Sequence, residues 1–363
     1  MTGAAQASAA RHLPGRLDDQ PANSRVLIID DSLVTRSILQ RIVESLPGLE
    51  LAASVASAAA ALDYLAGHSA DIVILDIEMP GRSGLDALPD ILQASKARVL
   101  VLSSHCGEGA PASLKALALG ASDTLAKPPR QFYSQDFILA LHQRLQFLAE
   151  DRQSRSEYMP LALASRAVQP CPLQCIAIGS STGGIPAIHH FLAALDNKVD
   201  APILITQHLP VDFMPHFVRH IAELGLRPVS LASQGAPLVR GHIYCAPGDA
   251  HLGLDRADGQ VRIALLREWP ASAYKPSVDP MMEAVARCFG SGAAGIMLSG
   301  MGSDGLAGAR ALADAGAPVY VQDIETSTVW GMPGSVARAG LASVILPPAG
   351  IARFIADCWL EDA

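Results

Sequence analysis

From residue 25 to residue 150, and again from residue 175 onward, short apolar runs alternate with stretches of helical periodicity. RVLIID (25–30), ELAASV (50–55), DIVILD (71–76), RVLVLS (98–103) and SDTLA (122–126) read as strands, with helical stretches such as 36–46 and 58–67 between them. Runs that are apolar on both faces must be buried between helices, so each series predicts a parallel sheet covered on both sides. The second series runs through CIAIG (175–179), PILITQ (202–207), PVSLA (228–232), GIMLS (295–299), PVYVQ (318–322) and SVIL (343–346), most of them followed by a helical pattern. One interruption is antiparallel: HLGLDRADGQVRIALL alternates on both sides of Asp258-Gly259, the signal of a β-hairpin. The expected fold is therefore α/β twice over, a five-stranded parallel unit followed by a larger doubly wound unit carrying a hairpin.

Four segments follow: a disordered tail at 1–23, a first domain at 24–150, a proline-punctuated linker at 151–173, and a second domain at 174–363. The tail is alanine-rich, is interrupted by Arg11 and Arg16, and lacks the apolar core of a signal peptide. No apolar run reaches membrane-spanning length, so no membrane insertion is expected. A net charge of -8 without any basic block argues against a nucleic-acid partner. Six scattered cysteines with no CxxC fit reduced thiols and a cytoplasmic protein.

Ligands of parallel sheets bind beyond the carboxyl ends of the strands. In the first series that is where the acids fall. Asp30 and Asp31 end the first strand and Asp76 ends the third. Three converging carboxylates repel one another, which suggests a hard cation held by oxygens. Ser103 ends the fourth strand and Lys127 follows the fifth. A carboxylate that accepts a phosphoryl group needs a divalent ion and a lysine to offset the developing charge.

With IIDDS, DIEMPGRSGLD, SS and KPP in strand order, the first domain resembles a two-component receiver, a flavodoxin-like fold. The resemblance implies that Asp76 accepts the phosphoryl group and that Mg²⁺ is held by Asp30, Asp31, Asp76 and the carbonyl of Glu78. It also implies that Ser103 is the switch hydroxyl and that Lys127 pairs with the phosphoryl oxygens. A cognate histidine kinase would be the phosphodonor.

In the second series three strand ends carry chemistry. Gly179-Ser180-Ser181-Thr182-Gly183-Gly184 follows the first strand, Gln207-His208-Leu209-Pro210 the second, and Gly300-Met301-Gly302-Ser303-Asp304-Gly305 the fourth. Ser181, His208 and Asp304 thus converge on one edge, as the components of an activated hydroxyl. A dinucleotide site competes for the same glycines, because Gly300-x-Gly302-x-x-Gly305 lies between strand and helix and Asp323 ends the next strand. Against it, Asp304 would stand beside the pyrophosphate, and Ser181 and His208 would be left without a role. Gly179-x-Ser181-x-Gly183 also fits the nucleophile elbow of α/β-hydrolases, but that fold runs serine, acid, histidine along the chain, and here His208 precedes Asp304. A non-catalytic, phospho-dependent binding protein is the remaining alternative.

GSSTGG, TQHLPVDF, YCAPGDAHL, KPSVD, LSGMGSDG and VWGMPG together make the chain similar to the CheB family of chemotaxis protein-glutamate methylesterases. The resemblance implies Ser181 as nucleophile, His208 as base and Asp304 as the residue that orients it. Thr182 and the backbone N–H of Met301 fall on the oxyanion side. The implied substrates are glutamyl γ-methyl esters on methyl-accepting chemoreceptors, with deamidation of receptor glutamines as a second activity, and the esterase needs no cofactor. Two positions depart from the family pattern: Lys275 stands where arginine is usual, and Trp330 where tyrosine or phenylalanine is usual. Both sheets expose their chemistry at strand carboxyl ends, and the linker can hold these two edges face to face; the resemblance implies that the unphosphorylated first domain docks there and blocks the second, and that phosphorylation of Asp76 loosens it.

Overall fold

The computed structural model describes residues 23–104, 109–128, 134–156, 172–269 and 274–360. Apart from Asn23, the expected tail lies outside these residues, as does the expected linker from 157 to 171. The first unit comprises β1 (Ser24–Ile29), α1 (Leu33–Ser45), β2 (Leu49–Val55), α2 (Ala58–Gly67), β3 (Ile72–Asp76), α3 (Gly84–Ala94), β4 (Arg98–Ser104), α4 (Gly109–Ala118), β5 (Asp123–Lys127) and α5 (Gln135–Ser156). Its five parallel strands lie in the order β2-β1-β3-β4-β5. Ile29 pairs with Leu75, so the next residue of each strand, Asp30 and Asp76, emerges at the same edge. Ser32, Ser57 and Ser83 each cap a helix by accepting the N–H three residues on, a contact typically worth about 1 kcal/mol. Helix α5 continues through residues 151–156, the first part of the segment expected as linker.

The second unit comprises β6 (Cys175–Ser180), α6 (Gly184–Ala194), β7 (Ile203–Gln207), α7 (Met214–Ala222), β8 (Val229–Leu231), β9 (Ile243–Cys245), β10 (His251–Ala257), β11 (Gln260–Leu266), α8 (Val278–Phe289), β12 (Ala293–Met297), α9 (Leu306–Asp314), β13 (Val319–Gln322), α10 (Gly331–Arg338), β14 (Val344–Leu346) and α11 (Pro348–Leu360). Seven parallel strands form one sheet in the order β14-β13-β12-β6-β7-β9-β8. The chain starts in the middle at β6, builds outward through β7, and returns to the other side at β12. That reversal leaves a crevice at the carboxyl end of β6, where doubly wound sheets bind ligands. The hairpin β10–β11 forms as expected, with Asp258 and Gly259 both at positive φ, 50° and 76°. It packs on α8 and brings His251 toward the start of that helix. Strand β9 was not expected.

Side chains of the central strands β1, β3, β6, β7 and β12 are almost all fully buried, as a sheet covered on both faces requires. Among the described residues no helix is long and apolar enough to cross a membrane.

The two units meet differently from the expectation. Among the described residues, the contacts between the units do not involve the acids Asp30, Asp31 and Asp76 of the carboxyl edge. Instead α4 packs against α6, α7 and the 3-10 turn Val211–Phe213 that follows His208. The α5 residues Phe137, Leu141, Leu145 and Leu148 share an apolar cluster with Val329 and Met301 of the second unit. Arg98, at the amino end of β4, donates from Nε to the carbonyl of Thr328 at 3.1 Å and from Nη1 to the carbonyl of Leu148 at 3.0 Å. The physical reason is desolvation: the acidic edge carries charges that are costly to bury. A cavity of about 790 Å³, lined in part by Lys96, Arg98, Ser327 and Thr328, interrupts this seam.

Candidate active site

The turn after β6 is built so that Ser180 and Ser181 have opposite fates. Ser180 is the last residue of the strand and fully buried, and its hydroxyl donates to Gln207 Oε1 at 2.6 Å. Ser181 lies one residue beyond and is only half-buried. Its N–H donates to Ser299 O at 3.0 Å and its carbonyl accepts from Gln207 Nε2 at 2.8 Å. Gly183 then enters α6 in the left-handed region, φ 73°, where a Cβ would lie 2.3 Å from Thr328 Cβ. On the far side of the crevice a Cβ at Gly300 would lie 3.0 Å from Ser181 Cβ and 2.3 Å from Met332 Sδ. Glycine there lets the 300–305 loop lie directly against Ser181.

His208 follows β7, and its backbone N–H donates to Ser180 O at 3.1 Å, tying the two strand ends together. Its Nε2–H donates to Asp304 Oδ2 at 2.7 Å. Its Nδ1 is buried and has no hydrogen-bond partner among the described residues. Asp304 is 6% exposed and accepts two further bonds, from Ser277 Oγ at 2.6 Å and from the Val278 N–H at 2.7 Å. Burial acts to raise its pKa, but the bonds from His208, Ser277 and Val278 outweigh burial and hold it below the usual carboxylate range. The result is a fixed anion against Nε2, with the lone pair of His208 left on Nδ1.

The structure thus brings Ser181, His208 and Asp304 to one edge. Thr182 is buried there, with its carbonyl accepting from Ser299 Oγ at 2.8 Å. Met301 is half-buried in the loop beside Ser181. Trp330 sits in the core, donating from Nε1 to the carbonyl of Gln322 on β13 at 2.8 Å. Lys275 is exposed. Sequence inspection missed three contributors: Gln207, which clamps the Ser181 turn, Ser277, which holds Asp304, and Tyr274. The Tyr274 ring stacks on His208 with centroids 4.6 Å apart and planes 8° apart. Ser277 lies inside the KPSVD motif and Gln207 directly precedes His208, so both were within reach of the motifs. The glycine loop does not serve a pyrophosphate: its Asp304 points at His208, and Gly305, φ 90°, only starts α9.

At the first unit's edge, oxygens of Asp30, Asp31 and Asp76 lie within 4.8 Å of one another. Lys127 Nζ reaches Asp30 Oδ2 at 2.6 Å and Asp76 Oδ2 at 2.7 Å. Burial pushes Asp76 up to about 6 despite the pull of Lys127. Lys127 is itself raised: burial lowers it, and the two carboxylates more than compensate. The Glu78 N–H donates to Asp76 Oδ1 at 3.2 Å, which sets that residue beside the cluster. Ser103 is buried and shares a 2.7 Å hydroxyl contact with Ser113 of α4. An all-oxygen donor set of this size suits a hard divalent cation such as Mg²⁺.

Fold and site define a class, a receiver-type unit joined to an α/β unit with a hydroxyl, an imidazole and a carboxylate at its crevice. Residues 26–134 match the response regulator receiver domain and residues 176–355 match CheB methylesterase. The protein-glutamate methylesterase/protein-glutamine glutaminase 2 of Caulobacter vibrioides is 40% identical over 92% of this chain and 98% of its own length. The enzyme of that type from Azospirillum brasilense is 36% identical, over 95% of each chain. The crystal structure of the Thermotoga maritima CheB methylesterase catalytic domain is 32% identical, covering 52% of this chain and 99% of that one, with a TM-score of 0.50. The chain belongs to the CheB methylesterase family, in the form that carries a receiver domain.

Proposed function

We propose that this protein is a phosphorylation-regulated protein-glutamate methylesterase acting on methyl-accepting chemoreceptors in the cytoplasm, with receptor glutamines as a second, amide substrate. The observation that carries this is the His208 imidazole, fixed on Asp304 through Nε2 and left with a buried Nδ1 that has no partner among the described residues, at the edge where Ser181 emerges. In this scheme Nδ1 takes the Ser181 proton as Oγ attacks the ester carbonyl. Apo geometry need not show that bond, which tightens in the substrate complex. Thr182 and the Met301 N–H serve the oxyanion, and a single such donor is typically worth about 3 kcal/mol. The proton returns to the leaving methoxide, methanol departs, and water attacks the acyl-serine with Nδ1 again as base.

We assign the receiver to residues 24–150, the linker to 151–173, into which α5 runs as far as Ser156, and the catalytic domain to 174–363. Asp76 is the phosphoryl acceptor, with a histidine kinase as donor. Asp30, Asp31, Asp76 and the Glu78 carbonyl would hold Mg²⁺, which supplies charge neutralisation for the phosphoryl oxygens. Lys127 then pairs with those oxygens and Ser103 turns toward them. Ser103 is joined to Ser113 on α4, and α4 lies on the catalytic unit. A phosphoryl group that draws Ser103 away therefore acts on the seam between the two units.

The test is initial-rate methanol release from methylated receptor membranes, with and without a small phosphodonor. Ser181→Ala should abolish release while Asp76 still takes up label. Wild-type turnover in Ser181→Ala combined with loss in Ser180→Ala would overturn the nucleophile assignment.

A further inference from the structure

The hydrogen bonds around Asp304 continue one step further into the protein. Ser277 occupies the N-cap position of α8, but its hydroxyl makes no cap bond to the helix. It donates to Asp304 Oδ1 instead. The Ser277 backbone N–H lies outside the helix ladder in a fully buried position, where an unpaired donor is costly. His251 Nδ1 accepts it at 3.0 Å. His251 opens the hairpin strand β10 and is 2% exposed. Since Nδ1 accepts, the ring is neutral with its proton on Nε2; an imidazolium has no lone pair there. Burial, with the Lys275 charge nearby, lowers its pKa in the same sense, against a smaller opposing pull from Asp304.

We infer that His251 is a positioning residue for the ester-hydrolysing site: by fixing the Ser277–Val278 turn it sets the Asp304 carboxylate that aligns His208. It touches neither the substrate nor the reacting atoms, and this role rests on the Ser181, His208 and Asp304 assignment above. A displaced turn would shift both donors to Asp304 together, Ser277 Oγ and the Val278 N–H, and swing the His208 ring that depends on them.

The experiment compares full-length His251→Leu, His251→Asn and Ser181→Ala with the parent protein, measuring kcat and KM for methanol release from receptor membranes under phosphodonor. Leucine fills a similar space without an acceptor, and the asparagine Oδ1 restores one near the position of Nδ1. His251→Leu is expected to lower kcat by about 10- to 100-fold, since misplacing a catalytic group by about 1 Å has that effect. KM should stay within about twofold. His251→Asn is expected to recover most of kcat. Should His251→Leu fail to fold, as judged by lost Asp76 labelling and circular dichroism, Ser277→Ala carries the same test, because it breaks the next bond in the chain and should also lower kcat at constant KM. Ser181-dependent turnover with His251→Leu or Ser277→Ala within twofold of the parent kcat, or His251→Asn as impaired as His251→Leu, would overturn the inference. Undiminished turnover in Ser181→Ala would instead overturn the assignment on which it rests.

Discussion

Asp76→Asn should make the receiver more stable, by an amount that depends on pH. Asp76 is 2% exposed, and burial raises its pKa from 3.8 to about 6 although Lys127 stands 2.7 Å away. A carboxyl raised in this way binds more protons folded than unfolded between those two values. Its protonated form therefore contributes stability that is full at pH below 3.8 and is lost as the pH rises through 6. Above that the folded state carries the ionised group at a constant penalty. At about 1.4 kcal/mol per pH unit the penalty is about 3 kcal/mol at pH 7.5 and about half of that at pH 5. Asparagine keeps the shape and removes the charge, and Lys127 retains Asp30 at 2.6 Å, so the substitution does not orphan the ammonium. Amide exchange of β1 and β3 in the full-length protein, in Mg²⁺-free buffer and corrected for intrinsic rates, reads the opening free energy of that sheet. The variant should gain about 3 kcal/mol at pH 7.5 and clearly less at pH 5. Added Mg²⁺ should stabilise the parent more than the variant. A gain that is the same at both pH values, or a loss, would refute the electrostatic reasoning.

Asp304→Asn should lower kcat by about 10³- to 10⁴-fold, less than Ser181→Ala, because Asp304 orients the base and does not attack; steady-state methanol release decides this. Gly300→Ala should abolish activity out of proportion to stability, since its Cβ would lie 3.0 Å from Ser181 Cβ and 2.3 Å from Met332 Sδ; comparing kcat with the thermal midpoint separates the two effects. Arg98→Ala removes the bond to the Thr328 carbonyl and should raise the basal rate of the unphosphorylated enzyme by about fivefold, the equivalent of about 1 kcal/mol at the seam. Unchanged basal turnover in that variant would show that the Arg98 contact does not hold the closed arrangement.

Strand positions and strand-end chemistry were legible because both follow from local pattern. Apolar runs fixed β1, β3, β6, β7 and β12, and the residues just past them had to share an edge of a parallel sheet. Strand β9 escaped because three residues, Ile243, Tyr244 and Cys245, are too short a run to show a period. Residues 151–156 are polar and carry no apolar period, so the continuation of helix α5 through them was not legible. The choice between Ser180 and Ser181 depends on where the strand stops. Ser180 is the last paired residue, opposite Gln207, and its side chain is held in the sheet, whereas Ser181 is free of it. The docking face of the receiver was not legible at all. It is set by long-range packing of α4 on α6 and α7 and by an apolar cluster that takes in Val329, and no local pattern encodes which face of one unit will meet another. The support of Asp304 by Ser277 and His251 is likewise a product of the hairpin folding onto α8, between segments 26 residues apart.

The most direct test of the whole account is methanol release from methylated receptor membranes by the full-length protein, by a version lacking residues 1–165, and by full-length Asp76→Asn. Each is assayed with and without a small phosphodonor. The account predicts a low basal rate that the phosphodonor raises in the parent. The truncated protein should have a higher basal rate that ignores the phosphodonor, and Asp76→Asn a low rate with no response. A well-folded truncated protein slower than the unphosphorylated parent would contradict the covering role of the receiver, and a parent that released no methanol under any condition would contradict the esterase itself.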